Sequence, residues 1–412
     1  MKKIVSAEFE SENYVAIKEN RLVDFFYETK ENQSLVNNIY LGEVKNILAE
    51  IQAAFIDLGA DGKGFLHISD LKKSKKEQRI EEIFKTGDKL IVQIKKDAVA
   101  DKKPKVSDYI ALTGNYLILT NLGQQLGVSK KIKRRKERRR LKDILRPLLN
   151  EELGVIVRTR ALKKSEKVLE KEFKVLANKW QKIKSKAENS NQATRIYQSD
   201  SLIERIFKKE AGRDLAKVVV DSKESYNHLK DIADSFNTSL SKKIEYYSGS
   251  QFIFKEYDLG DDIKTALKRK VSLSSGGYIV FDDTEAMTVV DVNTGQNVIK
   301  GTFSDVIYQT NYQAAREIIR QLKLRNIGGI IVIDFIDMKR KKDQKKLIKI
   351  LKKELAKDSR KSSVLGMTNL GLVEITREKR GLSLKKQLTK SCSTCLGAGE
   401  LLKEKAKARL DL

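Results

Sequence analysis

The sequence predicts an α/β multidomain protein, and three patterns predict it. Strand-like alternation opens the chain, short apolar runs broken by glycine fill residues 38–96, and strands alternate with amphipathic helices from residue 273 onward. A chain of 412 residues, 40% apolar, is long enough for two to four domains with sizeable cores.

Each element follows from its pattern. Alternation at Tyr14–Ile17 and Leu22–Phe26, with Glu19-Asn20 between, predicts a hairpin. The runs within "NIYLGEVKNILAEIQAAFIDLGADGKGFLHISD" and "GDKLIVQIKKD" predict a small barrel. "KKIKRRKERRRLK", 130–142, is almost purely basic and suits a solvated helix face, a mobile loop or a phosphate-contacting arm. "GVIVRTRA" is a short strand reaching Arg158 and Thr159. Leu169, Phe173, Leu176, Trp180 and Ile183 keep helical spacing and form a packing stripe. "NSNQAT" is a loop, and "DLAKVVVDS" and "KKIEYYSG" are strands among helices. The last third alternates "SGGYIVFDD", "MTVVDVNTG", a helix through Ala314, Ala315, Ile318, Ile319 and Leu322, "GGIIVIDFIDM", a helix through Leu347, Ile350, Leu351 and Leu355, and "GLVEITR".

Composition narrows the chemistry. A formal net charge of +27 predicts a polyanionic partner, nucleic acid before an acidic membrane surface. Only Cys392 and Cys395 are present, which excludes a disulfide framework. Only His67 and His228 are present, which excludes a His-rich metal centre. No apolar run is long enough to span a bilayer, and "MKKIVSAEFE" lacks a signal-peptide core, so a cytoplasmic location is expected.

Against this basic background, Asp291 and Asp334 close two strongly apolar strands, in "VVDVNTG" and "GGIIVIDFIDM". Ligand sites of layered α/β domains form beyond the carboxyl ends of strands. If the two strands are neighbours, two carboxylates converge, and an all-oxygen site without histidine suits magnesium. Asn293 positions a carboxylate or the substrate by hydrogen bonding. The same aspartates also suit helix N-caps or turns, and spacing alone does not decide between these roles. Asp337 either supports the site or caps "MKRKKDQKK". Phe55 and Phe65 flank a glycine-bearing turn and are either core or stacking platforms for single-stranded bases.

The string "IYLGEV…AAFIDLG…GFLHISD…GDKLIVQI" resembles an S1-type OB-fold RNA-binding domain, in which His67 has an ordinary packing position. Over nearly its full length the chain is similar to the bacterial ribonuclease E/G family. The matching segments are "NIYLGEV", "AAFIDLGADGKGFL", "LTGNYLIL", "VIVRT", "LSSGGYIVFDDTEAMTVVDVNTG", "NYQAAREIIRQLKLRNIGGIIVIDFIDM", "GLVEITREKR" and "CSTCLGAG", in this order.

This resemblance implies a composite fold. Residues 1–35 and 205–266 form a split RNase H-like subdomain, 36–108 the S1-type barrel and 109–204 a 5′-sensor region. Residues 267–389 form a DNase I-like catalytic subdomain, 390–400 a zinc-link and 401–412 a tail. It implies a magnesium-dependent endoribonuclease of single-stranded, A/U-rich RNA, acting in rRNA and tRNA processing and mRNA decay. A 5′-monophosphate would stimulate it, and it would leave 5′-phosphate and 3′-hydroxyl ends. Asp291 and Asp334 match the magnesium ligands and Asn293 the orienting asparagine. Phe55, Phe65 and Lys102 match RNA contacts of the barrel. Gly114, Ile118, Arg158, Thr159 and Lys361 match the 5′-phosphate pocket. Lys361 replaces an arginine there, so sensing is either weaker or supplied by Arg360.

Cys392 and Cys395 match a structural zinc site completed by a second chain, since two thiolates half-fill a tetrahedral zinc. Ser393 stands where the family has proline. Only "LLKEKAKARLDL" follows the motif, so the small tetramer-forming domain is expected to be missing and a homodimer is favoured over a tetramer. The length resembles the ribonuclease G branch in shortened form. The alternatives are a ribonuclease E-like main decay enzyme and a non-catalytic RNA-binding protein.

Overall fold

The computed structural model describes residues 1–29, 33–72, 78–98, 102–211, 215–235, 239–296 and 302–395. The chain divides into two compact units. One comprises Met1–Tyr27, Asp214–Asn227 and Lys242–Leu412, and the other Glu28–Arg213 and His228–Ser241.

The chain opens with β1 (Lys2–Phe9), β2 (Glu12–Lys18) and β3 (Leu22–Thr29), an antiparallel meander that contains the expected hairpin. Then β4 (Ile39–Leu48), β5 (Ala53–Asp57), β6 (Lys63–His67), the short α1 (Ile80–Ile83), β7 (Lys89–Lys96) and β8 (Lys105–Ser107) form the barrel. It closes because β4, at one end of the run β4-β5-β6-β8-β7, also pairs with β7. Tyr40, Val44, Ile56, Leu66, Val92, Ile94 and Val106 fill its interior. Gly42 is needed there: a Cβ would stand 2.4 Å from the Ile56 side chain.

A four-stranded sheet follows, ordered β11-β12-β10-β9 from β9 (Ala111–Thr113), β10 (Leu117–Thr120), β11 (Leu126–Val128) and β12 (Gly154–Val157). The basic run folds as α2 (Arg135–Leu145), and the periodic stripe as α3 (Glu166–Glu188). Leu169, Phe173, Leu176, Trp180 and Ile183 are all buried in one core with this sheet. Trp180 donates its indole N–H to Glu152 at 2.8 Å, so it is a packing residue with its polar atom satisfied. The expected loop 189–194 gives way to β13 (Thr194–Tyr197), which adds to β4.

Next come α4 (Leu202–Glu210), β14 (Leu215–Val220), α5 (Lys223–Ser235), β15 (Ile244–Tyr246), α6 (Ile253–Glu256) and α7 (Gly260–Leu267). β14 runs parallel to β1 and β15 parallel to β14, so segments more than 200 residues apart share one sheet, β15-β14-β1-β2-β3.

The last sheet has six strands: β16 (Lys270–Ser272), β17 (Tyr278–Asp283), β18 (Met287–Asn293), β19 (Gly329–Asp334), β20 (Ser362–Met367) and β21 (Val373–Arg377), in the order β16-β17-β18-β19-β21-β20. The helices α8 (Phe303–Leu324) and α9 (Lys341–Leu355) contribute Ala314, Ala315, Ile318, Leu322, Leu347 and Leu351 to its core, and α10 (Leu384–Leu388) follows. Among the described residues only one face is so covered. Along β18, Thr288, Val290 and Val292 are buried while Met287, Val289 and Asp291 are exposed, as strand alternation requires. Asp291 and Asp334 therefore stand on the open face.

Candidate functional site

β18 and β19 are adjacent and parallel, and their register pairs Asp291 with Asp334. Neighbouring strands lie about 4.8 Å apart, and side chains paired in register point to the same face. The two carboxylates thus meet on one surface, as the sequence predicts, but Asp291 lies two residues inside β18 rather than at its end. The Asn293 amide donates to Asp291 Oδ2 at 2.6 Å and fixes that carboxylate's orientation. Gly276 and Gly277 let the turn after β18 approach: a Cβ on Gly277 would lie 2.7 Å from the Asn293 carbonyl. Gly295 occupies a left-handed φ of +55° in the same turn.

Burial pushes the Asp334 carboxyl up from its ordinary value, and the negative charges of Asp291 and then Asp337 push it the same way. Two like charges held together, with no neutralising group among the described residues, make a site suited to a cation. The donor set is all oxygen, hard and free of histidine, which fits magnesium. Asp337 is exposed and lies ahead of Arg340, the N-cap of α9, so it does not cap that helix. Among the described residues no group of three His, Cys, Asp or Glu side chains is placed to hold a metal, and Asp337 acts on Asp334 as a further negative charge.

Sequence patterning misses Asn311. This fully buried side chain on α8 accepts from the Ile336 N–H at 3.1 Å and donates to the Ile336 carbonyl at 2.7 Å. It thereby clamps the segment between Asp334 and Asp337. The available signal was a polar residue in the apolar phase of the helix, three and four positions before Ala314 and Ala315.

In the other unit, Gly114, Ile118, Arg158 and Thr159 do come together. The Arg158 guanidinium donates to the Gly114 carbonyl, and its backbone N–H donates to the Tyr116 carbonyl at 2.8 Å. Ile118 lies on β10, paired with Ile156. Thr159 Oγ1 is 3.4 Å from Ser129 Oγ. Glu172 on α3 is a second residue that pattern reading misses. Its carboxylate accepts the backbone N–H groups of Asn115, Tyr116 and Leu117 at 2.7, 2.8 and 2.8 Å. Burial raises the Glu172 carboxyl, but those three donors and Arg158 all act to lower it. Gly114 leaves room for this contact, since a Cβ there would be 2.9 Å from Glu172 Cδ.

Lys361 belongs to the first unit and is exposed, with its backbone bonded to Glu378. Arg360 beside it donates to Asn326. Burial pulls its guanidinium down to about 10, with the charge of Arg377 acting the same way.

On the barrel, Phe55 and Phe65 face each other across β5 and β6 with ring centroids 5.9 Å apart, both half-buried and outside the interior core. Lys102 is exposed two residues before Pro104, whose carbonyl accepts the Phe65 N–H at 2.8 Å. His67 Nδ1 accepts the Ser69 N–H at 3.1 Å, a local cap.

Cys392 and Cys395 are both unpaired thiols, the first exposed. Backbone N–H groups of Cys395 and Thr394 pull the Cys392 thiol down to about 7, towards the thiolate that binds metals. The rest of the motif, 396–400, and the tail, 401–412, lie outside the described residues. No helix among the described residues is long and apolar enough to cross a membrane.

Comparison with known proteins matches this arrangement. The sequence pattern of the family described as "Ribonuclease E/G family" covers residues 111–380, and that of "S1 RNA binding domain" covers 35–107. Ribonuclease G of Salmonella typhimurium (strain SL1344) is 36% identical over 389 residues, 92% of this chain and 80% of that protein. Ribonuclease G of Haemophilus influenzae is 34% identical over 95% of this chain and 82% of that protein. Ribonuclease E of Nostoc sp. (strain PCC 7120) is 32% identical over 98% of this chain but only 59% of its own length. With the barrel, the paired carboxylates and these matches in one continuous order, the chain belongs to the ribonuclease E/G family.

Proposed function

We propose that the chain is a magnesium-dependent endoribonuclease of single-stranded RNA, and that the Asp291–Asp334 pair on the open sheet face carries its chemistry. Asp291 and Asp334 would hold the ion. Bound there, magnesium supplies Lewis acidity to the phosphodiester and to the attacking water. Asn293 keeps the Asp291 carboxylate in one orientation, and Asn311 keeps the Asp334–Asp337 segment in place. Hydrolysis on the 3′-oxygen side of the phosphate leaves 5′-phosphate and 3′-hydroxyl ends.

The barrel supplies binding, with Phe55 and Phe65 as stacking platforms and Lys102 as a phosphate contact. Arg158 and Thr159 suit a 5′-monophosphate: the guanidinium has N–H groups beyond the one given to Gly114, and the hydroxyl donates a further bond.

Cys392 and Cys395 would give half of a structural zinc, shared by two chains in a dimer. The substrates follow as A/U-rich rRNA and tRNA precursors and mRNA, met in the cytoplasm. The sheet β15-β14-β1-β2-β3 takes the RNase H-like part and the six-stranded sheet the DNase I-like part.

The test uses short RNA oligomers with 5′-monophosphate or 5′-hydroxyl ends, with and without magnesium. Cleavage only with magnesium, faster for the monophosphate and leaving 5′-phosphate products, is the expected result. Binding without cleavage of any RNA would assign the chain to non-catalytic RNA-binding proteins.

A further inference from the structure

The basic segment around α2 is built in two layers. From Lys130 to Arg146 it carries eleven Lys and Arg against two acids, so nine of the 27 surplus positive charges lie in this stretch. Two of its arginines turn inward as fasteners. Arg138 donates to the carbonyls of Val128, Ser129 and Ile132 at 3.2, 2.8 and 3.3 Å. Arg140 binds Glu137 through two nitrogens, at 2.9 and 2.7 Å, and the Lys164 carbonyl at 3.0 Å. Leu141 and Leu145 are buried on the same side, so the helix cannot roll.

The outward layer is Lys130, Lys131, Lys133, Arg134, Arg135, Lys136 and Arg139, all exposed. Arg139 approaches Asp143 at 4.0 Å, and Arg134 acts on Glu137. Among the described residues Lys130, Lys131, Lys133, Arg135 and Lys136 form no ion pair. Folding does not account for this placement. Positive charges crowd the first turn of α2, where the helix dipole disfavours them. Arg135 and Arg139 are like charges four apart, which costs a few tenths of a kcal/mol.

The ridge also has an address. Arg138 pins the Ser129 carbonyl, the Ser129 hydroxyl touches Thr159, and Lys130 follows directly. The row of cations thus begins one residue from the 5′-phosphate pocket.

We propose that this cationic ridge is a second RNA-backbone surface that continues the 5′-end pocket and takes the phosphates of the first few nucleotides of single-stranded RNA. The proposal rests on Arg158 and Thr159 receiving the 5′ end. Bound phosphates release counterions, and each lost contact lowers the salt dependence of single-strand binding by about 0.7 in log–log slope.

The experiment is an anisotropy titration of the full chain, without magnesium, at several KCl concentrations. The RNA is 5′-monophosphorylated and labelled at its 3′ end. A variant combining Lys130→Gln, Lys131→Gln, Lys133→Gln and Arg135→Gln is expected to lose a slope of roughly 2 to 3 and at least about tenfold in affinity. Arginine at the three lysine positions should retain both. A second RNA carries neutral methylphosphonate linkages between its first nucleotides, and wild type and variant should bind it alike. An unchanged slope in the variant overturns the proposal. So does an equal loss on the neutral-linkage RNA, which would put the ridge elsewhere on the strand, and so does a loss confined to anionic vesicles. If wild type ignores the 5′-monophosphate while the neutral-linkage comparison holds, the ridge stands and the phosphate pocket falls.

Discussion

Two carboxylates, Asp334 on the open sheet face and Glu172 against the Gly114 turn, sit in opposite electrostatic settings. Burial raises both. Around Asp334 the other contributors are two more anions, Asp291 and Asp337. Around Glu172 they are three backbone N–H groups and Arg158, all favouring the charged form. Among the described residues the first carboxylate meets no compensating cation, and the second is fully supplied. An uncompensated charge marks the place where a ligand completes the structure, whereas a compensated one marks the scaffold that shapes a neighbouring pocket.

The largest expected effect breaks the comparison at its uncompensated end. Asp291→Asn and Asp334→Asn should each lower kcat roughly a thousandfold or more, since several kcal/mol of charge stabilisation is lost. RNA affinity should persist, because the barrel and basic surfaces remain. Gel assays of cleavage alongside binding titrations check this, and near-normal turnover in either variant at saturating magnesium would remove the metal site.

Asn311→Ala comes next, at a cost on the order of a hundredfold in kcat with KM little changed. It loosens the carboxylate segment without touching a carboxylate. Loss of thermal stability with normal kcat would make Asn311 purely structural.

At the compensated end, Arg158→Ala should remove about tenfold of the advantage of 5′-monophosphorylated over 5′-hydroxyl RNA, the value of one charge-assisted contact. Glu172→Gln should erode the same preference through the displaced Gly114 turn and cost about 1–3 kcal/mol in stability. A Glu172→Gln variant that keeps the full preference would show that the turn does not position Arg158. The smallest effect is Phe65→Ala, which should weaken RNA binding by about 1–3 kcal/mol and leave kcat unchanged.

Strongly apolar runs placed Asp291 and Asp334 at strand ends, and their pairing needed only β18 and β19 to be neighbours. Glycine-punctuated runs disclosed the barrel, and helical spacing disclosed α3 with Trp180 as packing. Glu172 was not legible, because its partners lie 55 to 57 residues away and it is one acid among several on α3. Asn311 was hidden for a similar reason, being read against a helix face rather than against Ile336. The division of the basic run into fastening and exposed arginines depends on carbonyls at 128, 129, 132 and 164, which no local pattern shows. The union of β1–β3 with β14 and β15 joins distant segments, and pattern alone gives no register for it.

The most direct test of the uncompensated pair is thermal unfolding of wild type and Asp334→Asn, with and without magnesium. Asp334 has a raised carboxyl in the folded state, so its charged form opposes folding above that value, and stability rises as pH falls through it. Without magnesium near pH 7, Asp334→Asn should therefore unfold at a higher temperature than wild type. Added magnesium should raise the wild-type midpoint and leave the variant nearly unmoved, because the ion binds the folded pair and not the unfolded chain. A midpoint that magnesium shifts equally in both proteins, or not at all in wild type, would contradict the assignment of Asp291 and Asp334 as its site.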